Sequence, residues 1–170
     1  MDVIAREGPI MNWQELCNRS DLQNLPFKIE LDAQGKVIMS PVKIYHSALQ
    51  GEIAAALRLH RKDGKILSEC AIQTRQGTKV ADVAWASRET YLIIKDQVEC
   101  SLAPEVCIEV LSSSNTEEEI AAKKSLYFEK GAKEVWLCNR QGIVEYFDRE
   151  GKLDKSAFFP LFPARIDLDA

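Results

Sequence analysis

Between Pro104 and Ser112 the chain reads Glu-Val-Cys-Ile-Glu-Val-Leu (105–111), a near-continuous apolar run with one acid, Glu109, deep inside it. Apolar side chains on both alternating sets suit a central strand whose two faces are both covered. Turn and cap residues follow at once, from Ser112 to Thr116. With Thr116 as N-cap, Glu119 stands at the third helical position and completes a capping box, while Glu117 and Glu118 favour the positive end of the dipole. This helix is expected to reach about Lys130 and stop at Gly131, before another strand at Glu134–Cys138. A covered strand that crosses over through a helix to a second strand calls for a sheet with helices on its faces.

The rest of the chain adds to this frame. Residues 12–19 predict a short helix capped by Asn12, with Glu15 completing its capping box. Phe27–Leu31 and Lys36–Met39 flank Asp-Ala-Gln-Gly and predict a hairpin, which Ser40-Pro41 is expected to break. Leu49, Ile53, Ala56, Leu57 and His60 form one stripe of a helix over 45–60, closed by Lys62-Asp63-Gly64. Strands are expected at 65–74 and 79–86, then a mixed excursion over 88–101, and a last hairpin strand at 142–148. The tail, 151–170, carries Phe158, Phe159 and Phe162 and is expected to be a lid on the core or a partner surface. The fold class is therefore α/β, a mixed central sheet flanked by helices with an N-terminal hairpin. One domain over 1–170 is expected, with 1–26 as an appendage and 151–170 packed on the core.

Glu109 has a counterpart in Asp82, early in the apolar run Val-Ala-Asp-Val-Ala-Trp-Ala (80–86). An unpaired carboxylate in such a setting costs several kcal/mol or gives up its proton. Adjacent strands lie about 5 Å apart, so two acids at matching heights on one face can share an ion. Magnesium takes oxygen ligands, keeps several waters and lets a phosphate complete its shell. Ile120, Lys123 and Tyr127 share one stripe of the following helix, which directs Lys123 inward to orient water or phosphate. Lys124 is the less favoured alternative. A structural ion-pair network is the competing reading of the same residues.

Other side chains are candidates by position. Glu52 and Glu69 are further carboxylates within reach of a metal, and His46, Gln73, Arg75 and Lys79 are candidates for substrate contact. Arg58, Arg61, Lys62 and Lys65 extend the basic set. A net charge of −4 argues against a broad basic coat for nucleic acid but leaves room for a local groove. Five scattered cysteines without a CxxC pair, and two distant histidines, give no zinc spacing and suit reduced thiols in the cytoplasm. There is no glycine-rich nucleotide loop, no serine-hydrolase elbow and no apolar stretch of membrane-spanning length.

The stretches RQGTKVADVAWAS (75–87) and APEVCIEVLSSSNTEEEIAAKKSLYFEKGAKEVW (103–136), with GKVIMSP and His46 upstream, resemble a bacterial family named "putative restriction endonuclease", within the PD-(D/E)XK nuclease-like superfamily. The resemblance spans about residues 27–148. It implies an α-β-β-β-α-β core and carries the family's aspartate onto Asp82, its glutamate onto Glu109 and its lysine onto Lys123. Glu119 and His46 match its further acid and histidine. Three positions depart from the pattern: Ala81 replaces the proline of the PD pair, Leu111 stands where the in-strand lysine would be, and Ser113 replaces a proline. The resemblance implies Mg²⁺-dependent DNA cleavage that leaves a 5′-phosphate, with Mn²⁺ as a substitute metal. The expected protein is thus a cytoplasmic DNA endonuclease with no membrane segment and no organic cofactor. A homodimer through the 158–162 aromatics and Trp136 is a further expectation. The alternative is a non-catalytic nucleic-acid-binding or assembly module.

Overall fold

The computed structural model describes residues 10–170; the first nine residues of the expected appendage lie outside the described region. Asn12 caps α1 (Trp13–Cys17): its side chain accepts from Glu15 N at 2.9 Å, and the Glu15 carboxylate accepts from Asn12 N at 3.0 Å. A single 3-10 turn leads to the hairpin of β1 (Phe27–Leu31) and β2 (Val37–Pro41). Its turn is tied by Asp32, which accepts from the backbone N–H groups of Gln34 and Lys36. The second strand runs past the expected break, because Pro41 pairs with Phe27 at an edge where its missing N–H has no other strand to serve.

After α2 (Ile44–His60) comes a six-stranded sheet in the order β3-β4-β5-β6-β7-β8. β3 (Lys65–Thr74), β4 (Gly77–Ala86) and β5 (Val106–Val110) are antiparallel neighbours. α4 (Glu117–Glu129) then crosses over to β6 (Glu134–Cys138), which lies parallel to β5. β7 (Val144–Asp148) and β8 (Gly151–Leu153) complete the sheet as antiparallel additions. The crossover helix carries the expected Thr116–Glu119 capping box, with both bonds at 3.1 Å. The excursion after β4 contains a helix, α3 (Arg88–Ile94), capped by Ser87.

Leu49, Ile53 and Leu57 of α2 pack on Val83, Trp85, Val106 and Ile108. Ile120 and Tyr127 of α4 pack on the opposite face, with Ala84, Cys107 and Val135. Every residue of β5 is consequently buried, as its two-sided apolar pattern requires. His60, placed on the apolar stripe by periodicity, is instead exposed at the end of α2, where it bonds Ala56 O and leans on Phe162. The tail folds back on the α2 face. Phe159 and Phe162 are buried against Trp136, and Trp136 itself is wholly buried. Phe159, Phe162 and Trp136 are core, which corrects the expectation that they present an apolar dimer surface, whereas Phe158 is half-buried. No helix among the described residues is long and apolar enough to cross a membrane.

The hairpin lies over the first half of β4. Gly77 has φ +87°, and a Cβ there would come within 2.2 Å of Asp32 O, so the close approach depends on glycine. β5 pairs β4 only at Val83–Trp85. Further back, Glu30 accepts from Val80 N at 2.6 Å and Lys79 donates to Leu31 O at 3.2 Å. Side chains, rather than a strand ladder, therefore carry the polar attachment of β1 to β4.

Candidate active site

Asp82 and Glu109 meet one step beyond the Val83↔Ile108 pair in the β4–β5 register. β4 is irregular at this point. Glu69, opposite Asp82 in the β3–β4 register, is unpaired and has φ +54°. Ala81 and Ala84 pack with the α4-side cluster while Val83 packs with the α2-side cluster, so strict alternation is broken across Asp82. In place of a further ladder bond, Asp82 Oδ2 accepts from Val110 N at 2.8 Å.

Each acid uses one oxygen outward and one inward. Asp82 Oδ2 also lies 3.4 Å from His46 Nε2, while Oδ1 accepts from Lys28 Nζ at 3.0 Å. Glu109 Oε1 accepts from the Tyr127 hydroxyl at 2.6 Å, and Oε2 accepts from Lys28 at 3.1 Å and from Lys123 at 3.2 Å. Lys123 also pairs with Glu30 Oε2 at 3.0 Å. The Asp82 side chain is wholly buried and that of Glu109 is 5% exposed, so these charges stand only because partners surround them. His46 Nδ1 is buried and lacks a partner.

The protonation states follow from this arrangement. Burial works to raise the Asp82 carboxyl, but Lys28, His46 and the Val110 N–H outweigh it and hold Asp82 well below the usual range. Glu109 goes the other way, because its burial and the neighbouring acids outweigh Lys123 and Lys28 and raise its carboxyl. Burial also opposes the charge on Lys28, yet Glu109, Asp82 and Glu30 hold it well above the ordinary lysine value. The bond to Asp82 raises His46. Burial and the adjacent Glu109 push the Tyr127 hydroxyl well up, which keeps it a proton donor to Glu109.

A cleft of about 60 Å³ opens onto this cluster, walled by Lys28, His46, Glu109, Ser112, Asn115 and Lys123. It adjoins a cavity of about 430 Å³ that shares Glu30 and Lys123 and adds Lys79 and Glu119 to the wall.

The candidates named from the sequence divide clearly. Asp82, Glu109, Lys123 and His46 come together, and Lys79 lies on the wall of the adjoining cavity. Glu52 is exposed on α2, and Glu69 is exposed and accepts from Gln50, so neither supplies the third acid. Glu30 is the other carboxylate near the pair, but its Oε2 is engaged by Lys123 and by Val80 N. Gln73 is exposed, and Arg75 pairs with Glu129 at 2.9 Å away from the acids. Lys124 stacks on Phe147 at 3.7 Å, which leaves Lys123 as the α4 lysine at the acids. Glu119 serves the helix cap. Among the described residues, no group of three His, Cys, Asp or Glu is arranged to hold a metal ion.

Lys28, Glu30 and Tyr127 were not singled out as site residues by the sequence. Lys28 and Glu30 alternate with Phe27, Ile29 and Leu31, the signature of a strand with one polar face. That pattern ordinarily means solvent; here the polar face looks onto β4 and the acids.

A family model described as "Putative restriction endonuclease", Uma2, matches residues 13–164. The chain belongs to the Uma2 family. Membership and fold together place it in the PD-(D/E)XK nuclease-like superfamily. A crystal structure from Anabaena variabilis ATCC 29413, described as a putative nuclease belonging to DUF820, has the same fold with a TM-score of 0.64. The two chains are 16% identical over 88% of this chain and 91% of that one. No curated protein matches the sequence. In this chain, the α-β-β-β-α-β core is α2, β3, β4, β5, α4 and β6.

Proposed function

We propose that this protein is a metal-dependent endonuclease that hydrolyses DNA phosphodiester bonds, with Asp82 and Glu109 holding Mg²⁺ and Lys123 positioning phosphate or water. One observation carries the reading: Asp82 Oδ1 and Glu109 Oε2 converge on a single cation, the Lys28 ammonium, at 3.0 and 3.1 Å. Two hard carboxylate oxygens aimed at one point suit magnesium, which needs only one or two protein carboxylates and completes its shell with water and substrate. When bound, such an ion would offset charge on the phosphoryl group and lower the pKa of water.

The protein's own groups supply the remaining requirements. Val110 N–H and Tyr127 O–H take the outer oxygens of the two acids and so fix which oxygens face inward. Lys123, on the cleft wall, offers an ammonium to a phosphate oxygen or to attacking water. His46 adds an imidazole at the same wall. Lys79, Gln73, Arg75 and Lys124 are then assigned no more than peripheral contact with DNA.

A second reading rests on a separate observation: all four oxygens of Asp82 and Glu109 already have partners within the protein. A non-catalytic nucleic-acid-binding or assembly module would use the cluster in that way. Cleavage assays on supercoiled and single-stranded DNA with Mg²⁺ or Mn²⁺ separate the two readings, with Asp82→Ala and Lys123→Ala run alongside. Metal-dependent nicking lost in both variants supports the nuclease. A pure wild type that leaves DNA intact with either metal supports the module, and full activity in Asp82→Ala removes this site from the chemistry.

A further inference from the structure

The atom between the two acids belongs to the hairpin. Lys28 projects from β1, in a two-stranded sheet separate from the six-stranded one that supplies Asp82 and Glu109. No backbone-to-backbone hydrogen bond joins the two sheets among the described residues. The hairpin has a small core of its own, in which Leu31 packs with Met11 and Leu16. Its polar hold on the main sheet runs through Lys28, Glu30 and Lys79. Such a unit can shift with few backbone bonds to break.

The two inward oxygens are both held by ammonium groups. Among the described residues, Asp82 Oδ1 accepts from Lys28 alone, and Glu109 Oε2 is shared by Lys28 and Lys123. An ammonium and a divalent ion cannot both occupy the point on which those oxygens converge, since like charges at such a separation repel strongly in a buried setting. Removing Lys28 without replacement would leave two buried carboxylates undercompensated.

We propose that Lys28 is a built-in counter-cation that holds Asp82 and Glu109 in place in the metal-free protein and is expelled when a divalent ion binds, making the β1–β2 hairpin a metal-coupled lid. The proposal rests on reading Asp82 and Glu109 as metal ligands. Lys28 is then a positioning residue, acting through the acids rather than on substrate. Metal binding carries the cost of opening the Lys28 contact, and removal of the lysine makes binding tighter.

Calorimetric titration of the metal-free full chain with Mn²⁺ and Mg²⁺ tests this in wild type, Lys28→Met and the Lys28→Met/Asp82→Asn double variant. Lys28→Met should bind about tenfold more tightly or better, because the closed form no longer competes, and Asp82→Asn should abolish that gain. Equal or weaker binding by a folded Lys28→Met overturns the exchange and leaves the metal-site reading standing. Binding of neither metal by wild type or Lys28→Met removes the metal-site reading and the exchange with it. A second measurement needs only wild type, in case Lys28→Met does not fold. Saturating Mn²⁺ should speed amide hydrogen exchange across 27–41, and unchanged or slower exchange there overturns the lid.

Discussion

Tyr127 donates its hydroxyl to Glu109 Oε1 at 2.6 Å, from a ring that is wholly buried beneath α4. The bond turns Glu109 so that its other oxygen faces Lys28 and Lys123. Tyr127→Phe keeps the ring and leaves one buried carboxylate oxygen unserved. Denaturant unfolding should show a loss of about 1–3 kcal/mol. Metal affinity should fall by about tenfold, the usual scale for an outer group that orients a ligand. Unchanged stability and affinity would mean that Glu109 is oriented without Tyr127.

The neighbouring lysines of α4 should behave in opposite ways. Lys123 sits between Glu30 and Glu109, whereas Lys124 rests on the Phe147 ring. DNA cleavage should fall by about 10² or more in Lys123→Ala, the scale seen when a group stabilising a charged transition state is removed. Lys124→Ala should retain cleavage and lose at most about 1 kcal/mol of stability. Equal rates for the two variants would show that helix phase does not select the lysine.

Glu134 is the anchor of the C-terminal tail. Its buried carboxylate accepts from Trp136 Nε1 at 2.8 Å, Ser156 Oγ at 2.6 Å and Ala157 N at 2.7 Å. Glu134→Ala strands three donors and should cost about 3 kcal/mol in a chemical melt. Limited proteolysis should then cut within 154–170 first. An intact tail at wild-type stability would contradict the anchoring role.

Acid should weaken the start of α3. Glu105 accepts from Ser87 N and from the hydroxyls of Ser87 and Thr90. Burial opposes its charge, but these three donors outweigh burial and lower its pKa from the ordinary 4.5. A folded pKa below the unfolded one gives stability that is complete above 4.5 and is lost as pH falls through the lowered value. The Tm gap between wild type and Glu105→Gln should therefore be widest near neutral pH and shrink by about pH 3. A gap independent of pH would show that the charge on Glu105 does not matter.

Much of the frame was legible because it is written locally. The two-sided apolar run of β5, the capping boxes at Asn12 and Thr116, and the limits of β3 and β6 all match the structure. Short-range hydrogen bonds and side-chain periodicity decide such features, and both are visible in a window of a few residues. α3 escaped notice because its seven residues leave Leu92 and Ile93 exposed and show no clean stripe. β8 escaped because its three residues are a strand only through their pairing with β7.

Two acids in apolar strands, with a lysine on the inward stripe of the next helix, were determined by the sequence alone. Burial of Asp82 and Glu109 follows from the hydrophobic runs that contain them, and the side of Lys123 follows from its spacing to Ile120 and Tyr127. The tertiary structure decided what compensates the acids. Lys28 reaches them across 54 and 81 residues of chain, from a hairpin strand whose alternation alone resembles an ordinary solvent-facing edge. Periodicity tells which side chains share a face but not what that face meets, and in this protein it meets the acids.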